Sequence, residues 1–221
     1  MRPDIKFCGL TRRIDVEMAE SLGAAYLGVI FAPSARQVTL QQASLALGAK
    51  RDGGPRRVGV FAGSSGDDIV RALDFLWLDV AQLHGVGDAS LMEELRRRTN
   101  VQLWNVLHVG REGLAAAIEK ANDFVGDAIL LDAKVDGMLG GTGTAFDWRD
   151  ARNAIERLRA RGPIILAGGL RPENVSHAVA LLAPDVVDVS SGVELSPGIK
   201  DHSRMRAFVH AVNAIQGAPN T

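Results

Sequence analysis

The sequence predicts an α/β protein, a single (β/α)8 or TIM barrel spanning residues 1–221. Three observations point there. Short apolar runs rich in Val, Ile and Leu alternate with longer amphipathic stretches, as parallel strands buried on both faces alternate with their covering helices. The alternation occurs eight times in 221 residues, close to the size of such a barrel. The glycine clusters come late in the chain, whereas a doubly wound open sheet, the second choice, places its phosphate fingerprint near the start.

Taken in order, the first strand is "IKFC", followed by the helix "RRIDVEMAESLG", which Gly23 stops. "AYLGVIF" is the second strand, and the loop "APSARQVT" leads to Thr39, an N-cap for "LQQASLALG". "RRVGVF" is the third, and "SGDDIVRALDFL" carries acidic residues near its N-terminus, where the helix dipole favours them. "DVAQLH" is the fourth, and "DASLMEELRRRT" ends in three arginines, the matching preference at the other terminus. The remaining pairs are "VQLWNVL" with "REGLAAAIEKA", "AILLD" with "DWRDARNAIERLRA", "PIILAG" with "RPENVSHAVALLA", and "VVDVSS" with "HSRMRAFVHAVNAI". No linker or low-complexity tract divides them, so one domain is expected.

Hydrophobic residues make up 47% and charged residues 23%, ordinary for a globular enzyme. A formal net charge of −1 gives no general pull toward nucleic acid or acidic membranes. One cysteine allows no internal disulfide, which fits a reducing compartment. "MRPDIKFCGL" has no signal-peptide pattern, and no apolar run approaches the roughly 20 residues of a membrane span. The expectation is a cytoplasmic protein without nucleic-acid or membrane partners, a monomer or weak homodimer.

Alternate strand residues of a barrel point inward or toward the helices. Ile5 and Phe7 then face the helices, while Lys6 and Cys8 face the interior. By the same parity Gln82 pairs with His84, and Asp188 with Ser190, while Asp132 ends its strand. A buried charge needs a partner, and Asp188 is the one for Lys6 because the eighth strand closes against the first. Cys8, His84, Asp132 and Ser190 fall at strand C-termini, the catalytic rim of this fold. Plainer roles stand beside these. A lone cysteine suits a small core position, Asp132 can cap a turn, and His84 can be a hydrogen-bonded rim residue.

Three late loops are more specific: "LGGTGTAFDW", "LAGGL" and "DVSSGVE". Glycine lets backbone N–H groups approach an anion, and hydroxyls add donors. The loops after strands 7 and 8 form the usual phosphate site of these barrels. Gly141, Thr142, Gly143, Gly168, Gly169, Ser191 and Gly192 are thus candidate contacts to a phosphorylated small molecule. Tight barrel turns are the alternative.

"KFCGLT", "FAPSARQVT", "VGVF", "QLHG", "LLDAKVDGMLGGTGTAFDW", "LAGGLRPENV" and "DVSSGVELSPGIKD" together resemble the phosphoribosylanthranilate isomerase family of tryptophan biosynthesis, in order and spacing, from residue 4 to about residue 212. The resemblance implies a barrel enzyme without cofactor or metal. It implies the Amadori rearrangement of N-(5-phosphoribosyl)anthranilate to the 1-deoxyribulose 5-phosphate product. Cys8 then matches the general base, Asp132 the general acid, and Arg36 the residue near the anthranilate carboxylate. The base has to be a thiolate, which a nearby cation favours, and the acid has to hold its proton near neutral pH. His84 and Ser190 join the expected substrate contacts. Ala35 stands where the family commonly has proline, Thr144 where a lysine is common, and Trp104 and His108 alter the fifth-strand pattern. A different sugar-phosphate barrel and a catalytically silent phosphate binder are the competing readings.

Overall fold

The computed structural model describes residues 2–84, 89–109, 126–133 and 155–214. Eight parallel strands close into a barrel in sequence order. They are β1 (Asp4–Phe7), β2 (Tyr26–Ile30), β3 (Arg56–Phe61), β4 (Val80–Leu83), β5 (Gln102–Val109), β6 (Ala128–Ala133), β7 (Ile164–Ala167) and β8 (Val186–Val189). Every apolar run expected to be a strand forms one. β5 continues past the expected "VQLWNVL", which sets His108 opposite Asp132 in the ladder.

The described helices are α1 (Arg13–Ser21), α2 (Leu40–Leu47), α3 (Gly66–Leu76), α4 (Ala89–Arg98), α5 (Val175–Leu182) and α6 (His202–Asn213), with residues 155–159 also helical. Thr39 opens α2 with a reciprocal cap: its hydroxyl accepts from the Gln42 amide, and the Gln42 side chain accepts from the Thr39 amide. Ser65 caps α3 in the simpler way. The expected helix at residues 111–121 and the glycine loop at 139–148 lie outside the described residues. Not anticipated is an antiparallel hairpin, β9 (Glu194–Ser196) and β10 (Ile199–Lys200), which follows a single 3-10 turn, Ser191–Val193.

Strand parity divides the core in two. Val58, Val80, Trp104, Val106, Leu130, Ile165 and Val186 fill the barrel with Tyr26, whose ring meets Trp104 edge-on at 5.0 Å. Phe7, Leu27, Val29, Leu131, Leu166 and Val187 turn outward into the layer under the helices. Trp104 is therefore core, 1% exposed, and not a rim residue.

The N-terminal face carries a repeated fastening. Asp79, Asp127 and Asp185 each stand one residue before an even-numbered strand. Each accepts a hydrogen bond at 2.8 Å from a backbone amide of the preceding strand: Arg57, Leu103 and Ile164. Each also meets a cation, Lys50 at 2.6 Å, Arg96 at 3.0 Å and Arg159 at 3.2 Å.

Inside the barrel Lys6 is fully buried, its Nζ 2.8 Å from Asp188 Oδ2. Burial works against the ammonium, but the Asp188 carboxylate and the neighbouring Cys8 together outweigh it and hold Lys6 above its ordinary value. The pair therefore stabilises the fold below the ordinary lysine pKa, and that contribution is lost only as pH rises through the raised one. Lys6→Met leaves Asp188 without its partner and is expected to cost about 3–5 kcal/mol, roughly 6–20 °C in Tm for a chain of this size. Lys6→Met/Asp188→Leu should recover most of the loss. Thermal unfolding followed by circular dichroism checks both, and an unchanged midpoint for the single variant would contradict a buried pair.

Candidate active site

The C-terminal ends of the strands collect the polar side chains that parity assigns there. Cys8 follows β1 directly, and its amide donates to the Val189 carbonyl at 2.9 Å. Its side chain is free and buried. Space for the sulfur comes from Gly28 of β2. A Cβ there would lie 3.1 Å from Cys8 Sγ and 3.3 Å from Lys6 Cε, tight enough to push both aside. Burial drives the Cys8 thiol above its ordinary value. Lys6 and Lys200 favour the thiolate, as nearby cations should, but burial and the negative charge of Asp188 outweigh them. Cys8 therefore rests as a thiol, and its proton has to leave before the sulfur can act as a base. The expected help from a cation is present but does not win.

Asp132 stands on β6 between His108 of β5 and Ala167 of β7. β6 lies three strands from β1 around the barrel. The Asp132 side chain is 38% exposed, open to the mouth, and its Oδ2 is 3.3 Å from His108 Nδ1. A proton on either atom can be shared with the other. His84 follows β4, its ring 5.7 Å from that of His108. Burial pushes the His84 imidazole down, and the neighbouring His108 adds to this, so it is neutral at pH 7. The Gln82 side-chain nitrogen lies 2.9 Å from His84 Nε2, which accepts from it in that orientation.

Gln82 Oε1, Asp188 Oδ1 and Ser190 Oγ are buried and find no hydrogen-bond partner among the described residues. All three belong to inward-facing positions near the strand ends. Buried polar atoms are nearly always satisfied, so their grouping marks where a polar ligand or water completes them. Gly168 and Gly169 follow β7, and Asn174 braces their turn, donating to Gly169 O at 3.0 Å and accepting from the Arg171 amide at 2.9 Å. Gly192 sits in the turn after β8. A Cβ at Gly192 would fall 1.8 Å from the Leu170 carbonyl oxygen, so only glycine lets the two loops meet. The structure thus places Gly168, Gly169, Ser190, Ser191 and Gly192 at one side of the rim. Gly141, Thr142, Gly143 and Thr144 lie outside the described residues.

Arg36 is not a free loop arginine. Its Nε donates to Glu194 Oε1 and Oε2 at 2.9 and 3.0 Å, and its Nη2 to Oε2 at 2.6 Å. Lys200, 1% exposed, donates from one ammonium to the Cys8 carbonyl at 2.6 Å, the Ser190 carbonyl at 3.2 Å and Glu194 Oε1 at 2.9 Å. Glu194 and Lys200 were missing from the sequence reading. Their signal is the turn "ELSPGIK", where Pro-Gly between short alternating residues marks a hairpin with Glu194 paired to Lys200. The surface clefts around Lys50, Asp74, Trp77 and Arg98 lie at the N-terminal ends of the strands, away from these groups.

Residues 5–211 match the family model described as N-(5'-phosphoribosyl)anthranilate isomerase. The chain is 41% identical over 209 residues to the N-(5'-phosphoribosyl)anthranilate isomerase of Pseudomonas fluorescens (strain Pf0-1), an alignment covering 94% of this chain and 97% of the relative. It is similar to the crystal structure of monomers of the dimeric phosphoribosylanthranilate isomerase from Thermotoga maritima, with a TM-score of 0.78, 31% identity, and coverage of 96% and 99%. It is also similar to a phosphoribosyl anthranilate isomerase in complex with reduced 1-(o-carboxyphenylamino)-1-deoxyribulose 5-phosphate, with a TM-score of 0.80, 29% identity, and coverage of 96% and 99%.

With one cysteine in the chain, thiolate absorbance in the far ultraviolet reports Cys8 alone. In the ligand-free protein its midpoint is expected above the ordinary thiol value of about 8.5, with Cys8→Ala as the blank. A midpoint near neutrality would show that the cations outweigh burial.

Proposed function

The chain belongs to the N-(5'-phosphoribosyl)anthranilate isomerase family, and from that premise we propose that Cys8 and Asp132 are the base and acid of its reaction. The enzyme is an aldose–ketose isomerase of tryptophan biosynthesis. It rearranges N-(5-phosphoribosyl)anthranilate to 1-(2-carboxyphenylamino)-1-deoxyribulose 5-phosphate. The observation that carries the assignment is the pair's placement on one rim: Cys8 buried between Lys6 and Lys200 after β1, and Asp132 open to the mouth on β6.

The furanose ring opens when an acid protonates its oxygen as the C1–O bond breaks, which leaves an iminium at C1. Asp132 is suited to this step because it faces the mouth, with His108 at hand to share its proton. A base then removes the C2 proton, and the electron pair of that bond flows through C1–C2 to the iminium nitrogen to give the enolamine. The Cys8 thiolate does this once its own proton has left, with the positive charges of Lys6 and Lys200 favouring that form. Ketonisation puts a carbonyl at C2 and a second hydrogen on C1.

The substrate carries a phosphate at one end and a carboxylate at the other. The loops with Gly168, Gly169, Ser191 and Gly192, joined by Gly141, Thr142 and Gly143, take the phosphate. Arg36 takes the carboxylate through charge-assisted hydrogen bonds. His84 and Ser190 complete the polar lining. The whole chain works as one domain, a monomer or weak homodimer in the cytoplasm. Among the described residues no helix is long and apolar enough to cross a membrane.

Cys8→Ala and Asp132→Asn are each expected to lower kcat by about 10²–10⁴-fold, followed through the loss of substrate fluorescence. Near wild-type turnover in either variant removes that residue from the proton transfers. A crystal structure with the reduced product bound should show its phosphate on the amides of Gly169 and Gly192. Phosphate seated elsewhere on the rim would overturn that part of the reading.

A further inference from the structure

We infer that Glu194 and Lys200 are positioning residues, which hold Arg36 so that the end of its guanidinium is presented to the substrate's carboxylate. The inference rests on the reading of Arg36 as the carboxylate receptor and deepens it.

Glu194 grips the guanidinium from the side, through Nε and Nη2. Among the described residues Nη1 has no hydrogen-bond partner, so the Nη1–Nη2 edge stays open. That edge is the fork that takes a carboxylate with two parallel bonds. The arginine stem is fixed as well. A Cβ on Gly9 would come 2.7 Å from Arg36 Cδ, so the stem lies against the residue next to Cys8.

Glu194 is itself held. Its carboxylate accepts from Arg36, from Lys200 and from the Gly198 amide at 3.2 Å, and its side chain is 4% exposed. Burial pushes this carboxyl up, but the hydrogen bonds from Arg36 and Lys200 outweigh it and keep it below the ordinary range. The clamp is therefore present above the ordinary carboxylate pKa and is lost only as pH falls through the lowered one. Burial pushes the Lys200 ammonium below its ordinary value against the pull of Glu194, but its nitrogen meets three acceptors, an arrangement that matches the three hydrogens of the charged form. Two cations and one carboxylate leave one positive charge, and Arg36 is the most exposed member of the three. Lys200 thus offsets Glu194, which would otherwise cancel the charge that attracts an anion. Because Lys200 also bonds the Cys8 and Ser190 carbonyls, the receptor for one end of the substrate is tied to the strand ends beside the reacting carbons.

The test compares ligands with and without the carboxylate. Arg36→Met should raise KM for N-(5-phosphoribosyl)anthranilate about 10- to 150-fold, the loss of a charge-assisted hydrogen bond. Glu194→Ala should raise it about 2- to 12-fold, the cost of ordering one long side chain on binding, with the change falling on KM and not on kcat. Titration calorimetry with the reduced product and with its counterpart lacking the carboxylate should show the Glu194→Ala loss only for the first. In the Arg36→Met background Glu194→Ala should add nothing further to KM. Glu194→Gln keeps an acceptor oxygen and should give a smaller loss of the same selectivity. It also serves as the deciding variant if Glu194→Ala fails to fold. Equal weakening of both ligands, or an unchanged KM beside a raised one in Arg36→Met, would reduce Glu194 and Lys200 to supports of the hairpin. If Arg36→Met itself spares the carboxylate ligand, the receptor reading fails and the positioning role falls with it.

Discussion

The register of β8 against β1 sets Lys6 beside Asp188, and the other polar groups of the rim take their places from that seam. A charge facing the barrel interior is tolerable only with its partner at contact distance. A slip of one residue would turn Asp188 toward the helices and leave Lys6 alone. With the register held, the Cys8 amide reaches the Val189 carbonyl, and Lys200 reaches the carbonyls of both Cys8 and Ser190. Farther out, Asp15 of α1 accepts from Arg12, from His202 of α6 and from the Lys200 amide, so the same closure is fastened outside the barrel.

The seam also explains the electrostatic balance of the site. A sulfur buried this deeply would rest as a thiol with any modest counter-charge, and here two ammonium groups fail to reverse that. A thiol held in this way gives a strongly basic thiolate when it does ionise. Asp132 has the opposite setting, half open on a strand where a histidine is its neighbour. Two charge groupings flank Cys8: Lys6 of β1 with Asp188 of β8, and Arg36 of the loop after β2 with Glu194 and Lys200 of the hairpin that follows β8.

Much of this was legible in the sequence. The eight strands announce themselves by their length and Val/Ile/Leu content, and parity plus closure is enough to pair Lys6 with Asp188. Thr39 and Gly23 mark their helix ends by local chemistry alone. What stayed hidden depends on depth or on distance along the chain. Arg36 and Glu194 are 158 residues apart, and a hairpin of three residues facing two is too short for a period to show. The net direction of the Cys8 thiol turns on how completely the sulfur is covered, which a neighbouring lysine in the sequence cannot reveal. The fastening aspartates carry a signal as well: Asp79, Asp127 and Asp185 each precede an apolar run, a repeat that lies outside the strand interiors.

Closure of the last strand on the first has a consequence for how the protein is made. Lys6 and Asp188 are separated by 182 residues. At about 5–20 residues per second of synthesis, Lys6 waits roughly 10–40 s for its counter-ion. During that interval one edge of β1 is unpaired with an uncompensated ammonium, and Cys8 beside it lacks the Val189 carbonyl that holds its amide and the second of its two cations, Lys200. The Lys6–Asp188 pair can form only once the eighth strand has been made, and the Arg36–Glu194–Lys200 cluster only with the hairpin behind it. Until residue 188 has emerged, the free edge of β1 is open to pairing with other chains.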